Sequence, residues 1–149
     1  MMTIEFYSTK HEYGEFSNFA AFGFHMDGHW YRTSEHYFQA MKFEDPDYQE
    51  RIRETKSPMI AARLGRSRKI KIRSDWEEVK IDVMRTAVRA KIMEHEELQE
   101  LLLGTGDEPI VEAAGRDYFW GIGKDGSGKN WLGKILMEVR SELQAKIKT

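Results

Sequence analysis

The chain has 149 residues, 40% hydrophobic and 12% aromatic. That is enough for one domain over residues 1–149 that buries about two thirds of its unfolded surface without disulfides or a structural metal. Charged residues make up 32% of the chain but leave a net charge of only −2 and a pI near 6.2, which argues against a domain built to wrap a nucleic-acid backbone. Cysteine is absent, so disulfides, thiol catalysis and thiolate metal sites are excluded, in keeping with a reducing compartment. No run approaches about 18 apolar residues and no long apolar stretch follows the start, so neither a membrane span nor a signal peptide is expected, and the cytoplasm is the expected location.

Residues 3–7 and 22–26 read as short strands, and Asp27-Gly28 is a favoured two-residue hairpin turn leading into His29-Trp30-Tyr31. A small β element is therefore expected in the N-terminal third. Between the strands, residues 14–19 are aromatic and turn-rich, too short for a helix, and read as a structured loop. From Ser34 the pattern becomes helical. Asp45-Pro46 and Ser57-Pro58 each place a capping side chain before a proline, which predicts short helices over about residues 46–55 and 57–64, with Gly65 as a C-terminal stop. Ser74 or Asp75 is placed to cap the longest helix, in which Trp76, Val79, Val83, Val88 and Ile92 recur at helical spacing, with Ile81, Met84 and Ala87 widening the apolar face. A further helix is expected from His95 to Leu103, a strand over residues 109–113, and a last helix from Trp131 through Leu143. The sum is an α+β fold, mainly α with a small N-terminal β element.

Residues 33–43 open with capping side chains and place Glu35, Gln39 and Lys42 within about 40° of one another around a helix, Lys42 about 10 Å along the axis from Glu35. A carboxylate, an amide and an amine then face one way, while Tyr37, Phe38, Met41 and Phe43 anchor the other sides. The stripe reads either as a solvated polar face or as a set of groups aimed at a ligand. Residues 123–130 nearly spell the phosphate loop G-x-x-x-x-G-K-[ST], but Asn130 replaces the hydroxyl that would hold Mg²⁺, and repeated βαβ units and the downstream strand Asp are absent, which argues against a standard NTPase. The loop remains either a connector or a backbone anion cradle. Asp117, followed by three aromatics ending in Trp120 and then Gly121, reads as core filling or as a nucleobase and ribose contact. Arg63 and Arg66 around a helix end suit either the helix dipole or a phosphate. His25 and His29 flank a hairpin turn, so they can share a face only by cross-strand pairing. His11, His36 and His95 lack a carboxylate at zincin spacing, and no metal is expected. The chain also lacks the G-x-S-x-G elbow of a Ser-His-Asp hydrolase.

The segments Ser17-Asn18-Phe19, Ser34-Glu35-His36-Tyr37-Phe38-Gln39-Ala40-Met41-Lys42-Phe43, Ala62-Arg63-Leu64-Gly65-Arg66, Tyr118-Phe119-Trp120-Gly121 and Gly128-Lys129-Asn130-Trp131-Leu132-Gly133 together resemble the NADAR family, and within it its YbiA-like bacterial members, over nearly the whole chain and in order. The resemblance implies a compact single-domain YbiA-like helical fold and an N-glycosidase. The implied substrate is an early riboflavin biosynthesis intermediate, cleaved between its ribose phosphate and a pyrimidine-type amine. Other family members resemble enzymes that remove ADP-ribose from modified guanine bases, so nucleic acid enters only as an ADP-ribosylated substrate. No cofactor, metal or membrane partner is implied, and oligomeric state is left open.

Breaking an N-glycosidic bond builds positive charge on the sugar carbon and negative charge on the departing nitrogen, so a carboxylate and a proton source are needed. Glu35 is the expected carboxylate. Lys42 is the expected proton donor, imine-forming nucleophile or electrostatic partner of Glu35, and Asp117 joins them as a sugar contact in the catalytic set. Asn18, Phe19, Gln39, Arg63, Arg66, Trp120, Gly121 and Asn130 are the expected substrate contacts, the arginines for phosphate and the asparagines for ribose. The competing reading is a non-catalytic reader of ADP-ribose or a nucleotide, which would use the same pocket but not the reactivity of Glu35 and Lys42. A purely structural partner protein would bind no nucleotide.

Overall fold

The computed structural model describes residues 2–148. Among the described residues there are six α-helices and four short strands, an α+β chain dominated by helix. The strands form two separate two-stranded sheets. The chain divides into two compact units, one of residues 21–91 and one that joins the beginning of the chain to residues 92 onward.

The unit of residues 21–91 begins with a hairpin. Strands β2 (Phe24–Met26) and β3 (His29–Tyr31) pair antiparallel, and the turn places Asp27 at φ 51° and Gly28 at φ 80°, the two positive values that a type I′ turn requires. Its register sets His25 opposite Trp30 and Met26 opposite His29. The two histidines are therefore not a cross-strand pair, and the His25 ring instead meets Trp30 edge-on at 4.7 Å. Three short helices follow, α1 (Ser34–Ala40), α2 (Pro46–Glu54) and α3 (Pro58–Gly65), with α1 packed on both others. Asp45 accepts from the N–H groups of Asp47 and Tyr48, and Ser57 from those of Met59 and Ile60, so both proline-led starts are capped as their sequences require. The core of this unit gathers Phe24, Tyr31, Tyr37, Ala40, Phe43, Tyr48, Ile52, Ala61 and Ala87.

Helix α4 (Trp76–Glu94) closes this unit and buries Trp76, Met84, Ala87, Val88 and Ile92, a narrower face than the one its sequence outlines. Both oxygens of the Asp75 carboxylate, a candidate cap of this helix, are held by the Arg73 guanidinium at 2.6 and 3.0 Å. Gly65 also departs from the expected stop. It lies within the last turn of α3, which ends in right-handed geometry at Arg66.

In the other unit, β1 (Ile4–Phe6) pairs parallel with β4 (Ile110–Glu112), Ile4 opposite Ile110. The β structure is thus not confined to the N-terminal third: a strand about a hundred residues later completes half of it. Residues 14–16, expected as loop, form one 3-10 turn entered through Tyr13 at φ 61°. Helix α5 (Glu96–Gly104) packs on α6 (Trp131–Ile147), and α6 also packs on β4. Arg140 on α6 is buried and donates to Thr105 Oγ1 at 2.9 Å and to the Glu108 carbonyl at 2.8 Å, pinning the connection between α5 and β4. No helix among the described residues is long and apolar enough to cross a membrane.

Candidate active site

Helix α1 is not the amphipathic stripe that its sequence suggests. Of its seven residues only Glu35 escapes burial. The Thr33 hydroxyl caps it by accepting from the His36 N–H at 3.1 Å. His36, fully buried, ties it down: its Nδ1 lies 2.7 Å from Thr33 Oγ1 and its Nε2 lies 2.9 Å from the Thr55 carbonyl. A carbonyl only accepts, so Nε2 carries the proton and Nδ1 accepts from the threonine hydroxyl. Burial, the largest influence, holds this histidine below its ordinary value of 6.5; the Thr55 bond raises it and Arg32 lowers it further. A buried histidine that already has both nitrogens satisfied is a girder of the platform, a role that local spacing does not announce.

The helix ends at Ala40, two residues before Lys42. Met41 is the cap, and the Lys42 N–H donates to the Gln39 carbonyl at 3.3 Å in a tighter final turn. The Lys42 carbonyl accepts from the Arg73 N–H at 3.0 Å beside the bridge between Phe43 and Ile72, so its backbone is fixed from both sides. The amine therefore leaves from the end of the helix instead of its face. It is half-buried, and burial pushes it below its ordinary 10.5, while Glu35 raises it and Arg66 lowers it again; Glu77 raises and Lys80 lowers it more weakly. Glu35 and Arg66 thus both bear on the Lys42 amine, Glu35 as the sequence anticipates. Glu77 and Lys80, paired at 2.8 Å near the start of α4, join the same electrostatic environment, and no local motif points to them because their influence on Lys42 comes through the tertiary fold.

Gln39 belongs to the same group by a direct bond, its Nε2 donating to Glu35 Oε2 at 2.7 Å. Of the two arginines, both exposed, Arg66 is the one whose charge acts on Lys42. The basic residues continue past it through Arg68, Lys69 and Lys71 to Arg73, with no acid before Asp75.

The remaining candidates lie in the other unit. Asp117 Oδ1 accepts from the N–H groups of Phe119 and Trp120 at 3.0 and 2.8 Å, an Asx turn that fixes where the half-buried Trp120 leaves the loop. Gly121 is required by close approach, since a Cβ there would meet the Glu112 carbonyl at 2.9 Å. Asn130 stands at φ 54°, tolerated by asparagine, with its Nδ2 donating to the Ile110 carbonyl at 2.9 Å and its Oδ1 accepting from the Glu112 N–H at 3.0 Å. Both ends of this buried amide brace β4.

The same loop corrects the anion-cradle reading. The N–H groups of Gly128, Lys129, Asn130, Trp131 and Leu132 donate to the carbonyls of Ile122, Tyr118, Gly121, Phe119 and Trp120 at 2.7–3.1 Å. A phosphate loop needs such donors turned outward, and here they are engaged within the chain. Asn18 is half-buried, and Phe19 follows it with 39% of its surface exposed, its N–H donating to Ser17 Oγ at 3.1 Å. No group of three or more His, Asp and Glu side chains placed to hold a metal ion occurs among the described residues.

Comparison with known proteins bears on this arrangement. The NADAR domain model matches residues 5–144. N-glycosidase YbiA of Escherichia coli strain K12 is 54% identical over 140 residues, 94% of this chain and 88% of that protein. The NMR structure of E. coli YbiA superposes with a TM-score of 0.91 at 51% identity, covering 99% of this chain and 88% of that one. N-glycosidase Npun_R5314 of Nostoc punctiforme is 44% identical over 96% of this chain and 94% of its own length. The chloroplastic riboflavin biosynthesis protein PYRR of Zea mays is 41% identical over 94% of this chain, which spans 25% of that longer protein. With its fold, its order of motifs and nearly its full length in common with these proteins, the chain belongs to the NADAR family.

Proposed function

We propose that the chain is a cytoplasmic N-glycosidase, working as one domain, that hydrolyses the C–N bond between a phosphorylated ribose and a pyrimidine-type amine in an early intermediate of riboflavin biosynthesis. Support for the reaction comes from the names of relatives that share almost the whole chain, and support for the substrate from the riboflavin biosynthesis protein that carries the same stretch. The observation that carries the chemistry is Lys42, a half-buried amine held below its ordinary value by burial, with Glu35 beside it.

Desolvation favours the neutral amine, which is the nucleophilic form. In the opened sugar, where C1 is doubly bonded to the substrate nitrogen, Lys42 adds to C1 and passes a proton to that nitrogen. Glu35 in its acid form supplies a second proton, the C1–N bond breaks, the aromatic amine leaves, and Lys42 holds the sugar as an imine. Glu35, now a carboxylate, takes a proton from the water that adds to C1. Collapse of that adduct returns the Lys42 amine and frees ribose phosphate as its aldehyde. One water is consumed. Arg66 carries the phosphate contact.

The test is product release by purified protein, with free base and ribose phosphate measured by mass spectrometry, alongside borohydride trapping. Glu35→Gln and Lys42→Arg should each lower turnover at least about a hundredfold, since arginine cannot become a neutral nucleophile. Borohydride should leave one reduced ribose phosphate on the Lys42 peptide of the wild type. Because its neutral fraction grows as pH rises toward the lowered value, the rate should climb with pH along that limb. Wild-type turnover in both variants, or substrate consumption with no trapped adduct, sinks the proposed roles.

A further inference from the structure

We propose that Gln39 is a positioning residue that holds the Glu35 carboxylate in place, and that Gly65 exists to admit it. The inference rests on the reading of Glu35 as the proton carrier of the site.

The Gln39 side chain is 9% exposed and makes one hydrogen bond, from Nε2 to Glu35 Oε2 at 2.7 Å. Its other end, Oε1, is buried with no hydrogen-bond partner. A buried acceptor without a donor is costly, and a residue wanted only for packing would be better as an apolar side chain of the same volume. What glutamine alone adds is the N–H aimed at Glu35. Turning the amide round would set Oε1 against Glu35 Oε2 and lose the N–H donor, which the carboxylate form of Glu35 in the water-adding step needs. A substrate group cannot reach Oε1 in its buried place, which separates Gln39 from the contacts expected of it.

Gly65 supplies the space. It lies in the last turn of α3 with ordinary helical geometry, so its backbone does not call for glycine, and alanine would favour the helix. A Cβ built on it, however, would overlap the Gln39 side-chain oxygen and carbonyl carbon. The amide therefore lies against the backbone of α3 at Gly65. Helix α3 holds Gln39 and Gln39 holds Glu35, so a change at Gly65 reaches the carboxylate only through the amide.

Gln39→Met, Gly65→Ala and the double variant, compared by kcat and KM in the product assay together with thermal melting, test the arrangement. Methionine keeps the volume and drops the donor, so Gln39→Met should lower kcat about tenfold or more while KM stays within about twofold. Gly65→Ala should do the same by displacing the amide. The double variant should match the worse single variant within about twofold, because both act through one contact. A raised KM at unchanged kcat in Gln39→Met would make Gln39 a substrate contact and overturn the proposal. Unchanged kinetics would overturn it as well, as would losses that multiply in the double variant. Should Gly65→Ala fail to fold, Gln39→Met decides alone. Wild-type turnover in Glu35→Gln would mean that the reading of Glu35 has failed, whereas an inactive Glu35→Gln beside an unaffected Gln39→Met refutes the positioning role only.

Discussion

Replacing His36 with phenylalanine separates two contributions of one buried ring. At pH 7.5 the loss is local. The Thr33 hydroxyl still caps the N–H of residue 36, but the part-buried Thr55 carbonyl loses its donor at 2.9 Å, at a cost of about 1 kcal/mol. The second contribution depends on pH. Burial holds His36 below 6.5 in the folded protein, so as pH falls through 6.5 the unfolded chain takes up a proton that the folded chain refuses. Stability is therefore full above about pH 6.5 and is lost below it, down to the lowered folded value, by at most about 1.4 kcal/mol per pH unit. The phenylalanine variant has no such proton. Urea denaturation of both proteins at pH 7.5, 6.5 and 5.5 should show the wild type ahead at neutral pH and its lead shrinking, by at most about 1 kcal/mol, between the last two values. A gap that stays constant or widens on acidification refutes a neutral His36 and with it the hydrogen-bond assignment at the root of α1.

Arg66→Ala should raise KM for the phosphorylated substrate about tenfold, an effect that weakens with salt, while Arg63→Ala changes it less, because Arg66 is the arginine whose charge acts on Lys42. The same variant removes a neighbour that lowers Lys42, so the rising limb of the pH–rate profile should move to higher pH; a larger effect from Arg63→Ala would reverse the assignment. Asn130→Ala orphans the Ile110 carbonyl and the Glu112 N–H and places alanine at φ 54°, which should cost about 2–4 kcal/mol and lower Tm by about 10 °C. A raised KM with an unchanged Tm would instead make Asn130 a substrate contact.

The elements that were legible in the sequence are those whose signals are local. Asp45-Pro46 and Ser57-Pro58 start helices, and Asp27-Gly28 turns a hairpin, because a cap or a positive φ is decided within a few residues. Gly65 and Asn130 misled for the same reason. Each looks like a local signal, a helix stop and the flawed end of a phosphate loop, yet Gly65 answers to a side chain 26 positions earlier and the Asn130 amide to a strand 20 positions earlier.

The order of polar groups around Glu35 followed from the sequence too, since seven residues of helix fix the spacing of Glu35 and Gln39 whatever surrounds them. Their chemistry did not. Whether a carboxylate is bound, an amine desolvated or an amide buried depends on what packs against it. Here that is the backbone of α3 under Gln39, the Arg73 N–H on the Lys42 carbonyl, and Thr55 behind His36. The sequence by itself determined which reactive groups the chain carries and the short elements that present them. Tertiary structure alone decided which of them are desolvated and which are tied into the packing, because desolvation and hydrogen-bond satisfaction are properties of the packed chain.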